Sequence, residues 1–193
     1  MPSFRRLNRL PIWLLHEYGQ WCARHREEHQ PAGVGLNIGT GGRDLPGWIN
    51  LDETKPGDLL AVVPPIPFRD RAFDEVMLSH VIEHVNDAEA HDLLRECHRV
   101  LKPGGEITVV VPDARAFSLA YILGQISNRE LNDLYIYSYC QESQHRWSYD
   151  WNTLAQLVVS TGFRDIRRIS RFRDPRLMAP AWYQLGLTAR KDV

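Results

Sequence analysis

The sequence predicts an α/β domain built on a mostly parallel, twisted sheet with helices on both faces. Three observations predict it. Short apolar runs alternate with segments of helical periodicity, the order expected of β–α–β units. Residues 107–111, Ile-Thr-Val-Val-Val, are an almost uninterrupted β-branched run, as in a strand covered on both faces. Third, an apolar run at 34–38 feeds directly into the glycine-rich turn Gly39-Thr40-Gly41-Gly42.

Taken in order, residues 3–28 have a helical pattern, with Leu7, Leu10, Leu14 and Leu15 at steps of three and four. Pro11 kinks or splits that segment, and Gln30-Pro31-Ala32-Gly33 ends it. This divides the chain into an N-terminal helical cap at 1–32 and one globular domain at 33–193. Strands follow at 34–38, at 48–52 ending in Asp52, at 59–63 closed by Pro64, Pro65 and Pro67, and at 72–79. Residues 88–101 form an amphipathic helix with Leu93, Leu94, Cys97 and Leu101 on one side, stopped by Lys102-Pro103-Gly104-Gly105. His91 and His98 fall on its solvated side. After the strand at 107–111, helical patterns return at 114–123, 130–140 and 149–161, the last ended by Gly162. Residues 163–172 and 182–189 complete the sheet.

The 23 basic and 24 acidic side chains nearly cancel, so no whole-protein field draws the chain to nucleic acid or an anionic membrane. Cys22, Cys97 and Cys140 are scattered with no CxxC spacing. That argues for reduced thiols in a cytoplasmic protein, against a disulfide framework or a zinc site. No run approaches the roughly twenty apolar residues of a membrane span, and no signal-peptide pattern opens the chain.

In an open α/β sheet the ligand lies at the carboxyl ends of the strands. The turn Asn37-Ile38-Gly39-Thr40-Gly41-Gly42 is therefore the first candidate, because glycines let backbone approach a ligand closely. It is not the dinucleotide fingerprint GxGxxG, since Asp44 stands at the third glycine's place. A cofactor without a pyrophosphate has no need of that glycine. Asp52, at the end of the second strand, is suited to accept both hydroxyl hydrogens of a ribose. Asp58 lies in a loop that suits either an adenine edge or plain solvation.

Five segments now occur in a telling order: Asn37 to Gly41, Gly47-Trp48-Ile49-Asn50-Leu51-Asp52, Phe73-Asp74-Glu75-Val76, Ser79-His80-Val81-Ile82-Glu83-His84 and Arg99-Val100-Leu101-Lys102-Pro103-Gly104-Gly105. Together they resemble the successive motifs of the class I S-adenosylmethionine-dependent methyltransferases, in particular a short bacterial branch. The resemblance covers residues 36–112 and, more weakly, 145–163 and the last strands. It implies a Rossmann-like, seven-strand sheet with an antiparallel last strand, and S-adenosyl-L-methionine as cofactor. By the same resemblance Asn37, Gly39, Thr40 and Gly41 border the methionine part, and Asp52 holds the ribose. Asp58 and Leu59 flank the adenine, and Ser79 and His80 close the pocket. Two departures stand out. Asn37 occupies a place that is often acidic in the family, and residues 39–52 leave little room for a full first crossover helix, which should shrink to a turn.

The reaction expected is direct displacement of the methyl group by an acceptor; an oxygen acceptor needs its proton removed, for which His80, His84 or His145 are the candidates. His145 has a structural alternative as a helix-entry residue beside Asp150. His80-Val81-Ile82-Glu83-His84 also spells HxxEH, the inverted zinc-peptidase signature. It is set aside because no third ligand follows on a further helix, and no metal ligands are assigned. A non-catalytic binder of the cofactor or of an adenosine compound is the rival reading.

The acceptor is expected to be a small molecule or glycan. Arg164, Arg167, Arg168, Arg171, Arg173 and Arg176 are either a solvated face or the mark of an anionic acceptor. Arg5, Arg6 and Arg9 beside Trp13 suit a membrane surface, but the helix is expected to cover the pocket or meet a second copy in a homodimer.

Overall fold

The computed structural model describes residues 35–53, 58–61, 63–135, 144–169 and 182–192. The expected helical cap at 1–32 and Arg171, Arg173 and Arg176 lie outside the described residues.

Seven strands form one sheet: β1 (Gly35–Ile38), β2 (Trp48–Asp52), β3 (Leu59–Leu60), β4 (Phe73–Ser79), β5 (Leu101–Pro112), β6 (Phe163–Arg168) and β7 (Gln184–Lys191). Their order is β3-β2-β1-β4-β5-β7-β6. Neighbours run parallel except at β7, which is antiparallel to both β5 and β6. The sheet is thus mostly parallel, with the antiparallel last strand that the sequence leads one to expect. The described helices are α1 (Asp87–Val100), α2 (Ala114–Ile122), α3 (Asn128–Tyr135) and α4 (Trp151–Ser160).

Alternation along the strands sends Leu36, Ile38, Leu51, Val76, Leu78 and Val109 into one core. Over it lie Leu93, Leu94 and Cys97 of α1, with Leu154 and Val158 of α4. His91 and His98 are not on a solvated side. His91 hydrogen-bonds Ser160 of α4 at 3.2 Å, and the His98 ring meets Phe163 edge-on, 5.0 Å between centroids. Both are half-buried because α4 and β6 pack where a lone helix would face water.

The opposite face carries a row of register partners, Asn37, Asn50, Met77 and Thr108, in which the first three are buried. There the indole of Trp48 lies over Gly35, which has no room for a Cβ.

Several boundaries differ from expectation for local reasons. Helix α1 starts at Asp87 because the Asn86 side chain accepts from the Glu89 amide while Glu89 reaches back to the Asn86 amide, a capping box. Strand β5 begins at Leu101, ahead of the Lys-Pro-Gly-Gly turn. Pairing with β4 jumps from Phe73–Leu101 to Glu75–Glu106, so the turn bulges from within the strand. Lys102 anchors the bulge on Asp74, at 2.8 and 2.9 Å. Arg99 ties α1 to the chain ahead of β4 through the carbonyls of Ile66 and Phe68. Strand β6 stops at Arg168, and β3 is only two residues long.

No helix is described between β1 and β2. Residues 39–47 reach at most about 30 Å, enough to return past a strand of four residues. The shortened crossover therefore follows from a short β1. Because β2 and β4 lie on opposite sides of β1, the strand order reverses at β1, where an open α/β sheet has its ligand crevice, outside the carboxyl edge.

Candidate functional site

One wall of the crevice is the β1–β2 loop. Gly39 and Gly41 have φ of +72° and +57°, the left-handed region that side chains resist. A Cβ on Gly39 would also run into Val81, so glycine lets this loop meet the loop after β4. Asp52 organises the turn: its Oδ2 accepts from the Gly41 amide at 2.8 Å and from the Thr40 hydroxyl at 3.4 Å. The Thr40 hydroxyl also accepts from the Gly42 amide at 3.1 Å. Thr40 and Asp52 are buried, so a carboxylate stands at the end of β2 beneath a cradle of backbone.

Asn37 lies one layer lower. Its Nδ2 donates to Asn50 Oδ1 at 3.0 Å, and its Oδ1 is buried without a hydrogen-bond partner. Asp58 is also below the strand end, where one oxygen accepts from the Asn50 amide and side chain at 2.9 and 3.0 Å. Leu59 pairs with Leu51 in the core beneath the loop. Of the predicted residues, then, Gly39, Thr40, Gly41 and Asp52 converge directly. Asn37, Asp58 and Leu59 support them from below.

The second wall follows β4. Ser79 is fully buried, and His80 takes a left-handed backbone with φ +56°. For a residue with a side chain that is local strain, of the kind that persists where surrounding structure enforces it. His80 is held from both sides: Nδ1 lies 3.0 Å from Glu83 Oε1, and Nε2 lies 3.1 Å from Gln184 Nε2 on β7. A short 3-10 turn, Ile82–His84, then buries Glu83. Burial raises the Glu83 carboxyl's pKa, but the His80 hydrogen bond and the charges of His80 and His84 outweigh it and hold the group below its ordinary value.

His84 and His145 meet with ring centroids 4.8 Å apart. The meeting is fixed by backbone, because the Glu83 carbonyl accepts from the amides of Arg146 and Trp147 at 2.7 and 3.1 Å. Burial holds the His84 imidazole below its ordinary pKa, with Glu83 opposing and His145 reinforcing. The helix-entry role weighed for His145 falls to Asp150, which caps α4 through the Thr153 amide at 2.9 Å.

The sequence motif contained Glu83, but nothing marked it as a meeting point. Gln184 was missed entirely, since no local pattern links it to His80. The described arginines of the basic run lie on edge strand β6, three strand spacings from β4, about 14 Å.

With this geometry in view, residues 52–109 match a family model described as "Methyltransferase domain". The demethylmenaquinone methyltransferase of Corynebacterium kroppenstedtii is 33% identical over 110 residues, covering 52% of this chain and 47% of that protein. The chain spans less than half the length of the curated relatives it matches. Among solved structures, one from Thermotoga maritima, titled a SAM-dependent methyltransferase and possible histamine N-methyltransferase, superposes with a TM-score of 0.55 at 17% identity, covering 94% of this chain and 92% of that one. A SAM-dependent methyltransferase from Archaeoglobus fulgidus gives 0.51 at 16% identity, with 95% and 96% covered. The fold is that of these solved methyltransferase structures, and residues 52–109 are similar to the methyltransferase domain model.

Proposed function

We propose that the chain binds S-adenosyl-L-methionine in the crevice and transfers its methyl group to a small-molecule or glycan acceptor in the cytoplasm. The observation that carries this reading is the buried Asp52 carboxylate, fixed by the Gly41 amide at the end of β2. The residues fit the cofactor: the carboxylate suits the ribose hydroxyls, and the glycine turn, with its left-handed Gly39 and Gly41, suits close backbone approach. Gly39, Thr40 and Gly41 would border the methionine part, with Asn37, Asp58 and Leu59 supporting from beneath. Ser79 and His80 would close the far wall. No described helix is long and apolar enough to cross a membrane.

The cofactor supplies an electrophilic methyl on a sulfonium. The chain's own part is to hold an acceptor lone pair in line with that methyl. As the new bond to carbon forms, the carbon–sulfur bond breaks and its electron pair remains on sulfur. His80 has both ring nitrogens engaged and positions Glu83. His84 and His145 face the acceptor side, and Arg146, exposed beside them, suits an acidic acceptor.

Calorimetric titration with S-adenosylmethionine and S-adenosylhomocysteine tests the reading. Binding by the protein and its loss in Asp52→Ala are expected. No binding to the intact protein overturns the proposal, and binding without methyl transfer to any acceptor leaves a non-catalytic binder.

A further inference from the structure

We infer that Glu83, His84 and His145 form a binding site for a divalent first-row transition-metal ion on the acceptor side of the crevice. One ligand atom from each residue lies within 4.8 Å of those of the other two. Around a zinc ion with bonds of about 2.0–2.2 Å, such atoms stand roughly 3.4 Å apart. Side-chain rotation closes that difference.

The surroundings also resemble the outer shell of a metal centre, where ligands are oriented by a second hydrogen bond. Glu83 uses Oε1 on His80, which is braced in turn by Gln184. Its Oε2 is buried and has no hydrogen-bond partner. Glu83 as a whole is 1% exposed. His84 turns Nδ1 toward the Gln144 carbonyl at 3.4 Å, which leaves Nε2 for a ligand role.

A buried carboxylate oxygen with no partner is costly. A cation placed against it, completed by two imidazoles, supplies the missing compensation. Two nitrogen donors and one carboxylate, with no thiolate, suit zinc, cobalt or iron better than magnesium or calcium. The HxxEH segment thus contributes its glutamate and second histidine, and the third ligand comes from residue 145. His80 is left out of the set because its ring is spent on Glu83 and Gln184. Three protein ligands leave positions open to water or to a substrate oxygen. Resting on the methyltransferase reading, the site selects acceptors with a hydroxyl or carbonyl oxygen able to ligate the ion. It also recasts His84 and His145 as ligands in place of bases.

The test is Co2+ titration of chelator-treated protein, followed by visible absorption and calorimetry, with S-adenosylhomocysteine titrated separately. One equivalent of Co2+ with ligand-field bands is expected. Affinity should fall at least tenfold in His145→Ala and in Glu83→Gln, while His91→Ala binds as the parent does. Retained S-adenosylhomocysteine binding shows that each variant is folded. Absence of the bands, or affinity unchanged in both His145→Ala and Glu83→Gln, overturns the metal site. Intact Co2+ binding with no S-adenosylhomocysteine binding in the parent sinks the methyltransferase reading and leaves the metal site standing.

Discussion

Gly39 carries two demands at once: a backbone at φ +72° and an α-carbon face pressed against Val81. Gly39→Ala meets both penalties and is expected to cost about 1–3 kcal/mol, with S-adenosylhomocysteine affinity falling at least tenfold. Urea unfolding and calorimetry read the two effects, and an alanine variant with parental values would show that the loops do not need to touch. The sequence revealed this glycine as part of a turn, and the reason lay in a residue from another loop. Asp52 was equally visible as the carboxylate ending a strand. Asp58 looked like its companion, yet parallel pairing places it beside Asn50, one step below the strand end.

Among the elements, α1 has the clearest local origin. Asn86→Ala removes a side-chain cap and should cost about 1 kcal/mol, seen as a lower urea midpoint with unchanged cofactor binding. A larger loss would mean that Asn86 supports the neighbouring His84 turn as well. The junction of α1 with β6 should respond to pH. Burial first, then Lys191 and Arg164, hold the His98 imidazole below its ordinary value of 6.5, with Asp192 opposing. The unfolded chain therefore takes up this proton first as pH falls. The stabilisation is complete above about 6.5 and is lost as pH drops through the folded value. Scanning calorimetry from pH 7.5 to 5 should show a falling Tm, with a shallower fall in His98→Gln. Parallel profiles for the two proteins would remove His98 as the cause. The sequence placed His98 on a solvated face because periodicity within one helix does not reveal a second element packed against it.

For the whole molecule, a ligand spanning the ends of β1, β2 and β4 should stabilise the fold by mass action. At one hundred times its Kd, S-adenosylhomocysteine adds about 2.7 kcal/mol, a rise of roughly 5–10 °C in Tm. Asp52→Ala should show no rise; a rise equal to the parent's would place the ligand elsewhere.

What the sequence by itself determined were features written in neighbouring residues: strand and helix identities among the described residues, the glycine turn, the carboxylate ending β2 and the loss of the first crossover helix. These follow from side-chain periodicity, backbone preference and the reach of a short connection. Only the tertiary structure decided that Gln184 braces His80, that Asp58 serves Asn50, and that Glu83, His84 and His145 share one small volume. Such contacts are not set by sequence periodicity, and their existence depends on strand order and on where a loop is clipped. The two amides that bind the Glu83 carbonyl bring His145 to its partners, and no local pattern at residue 145 encodes that meeting.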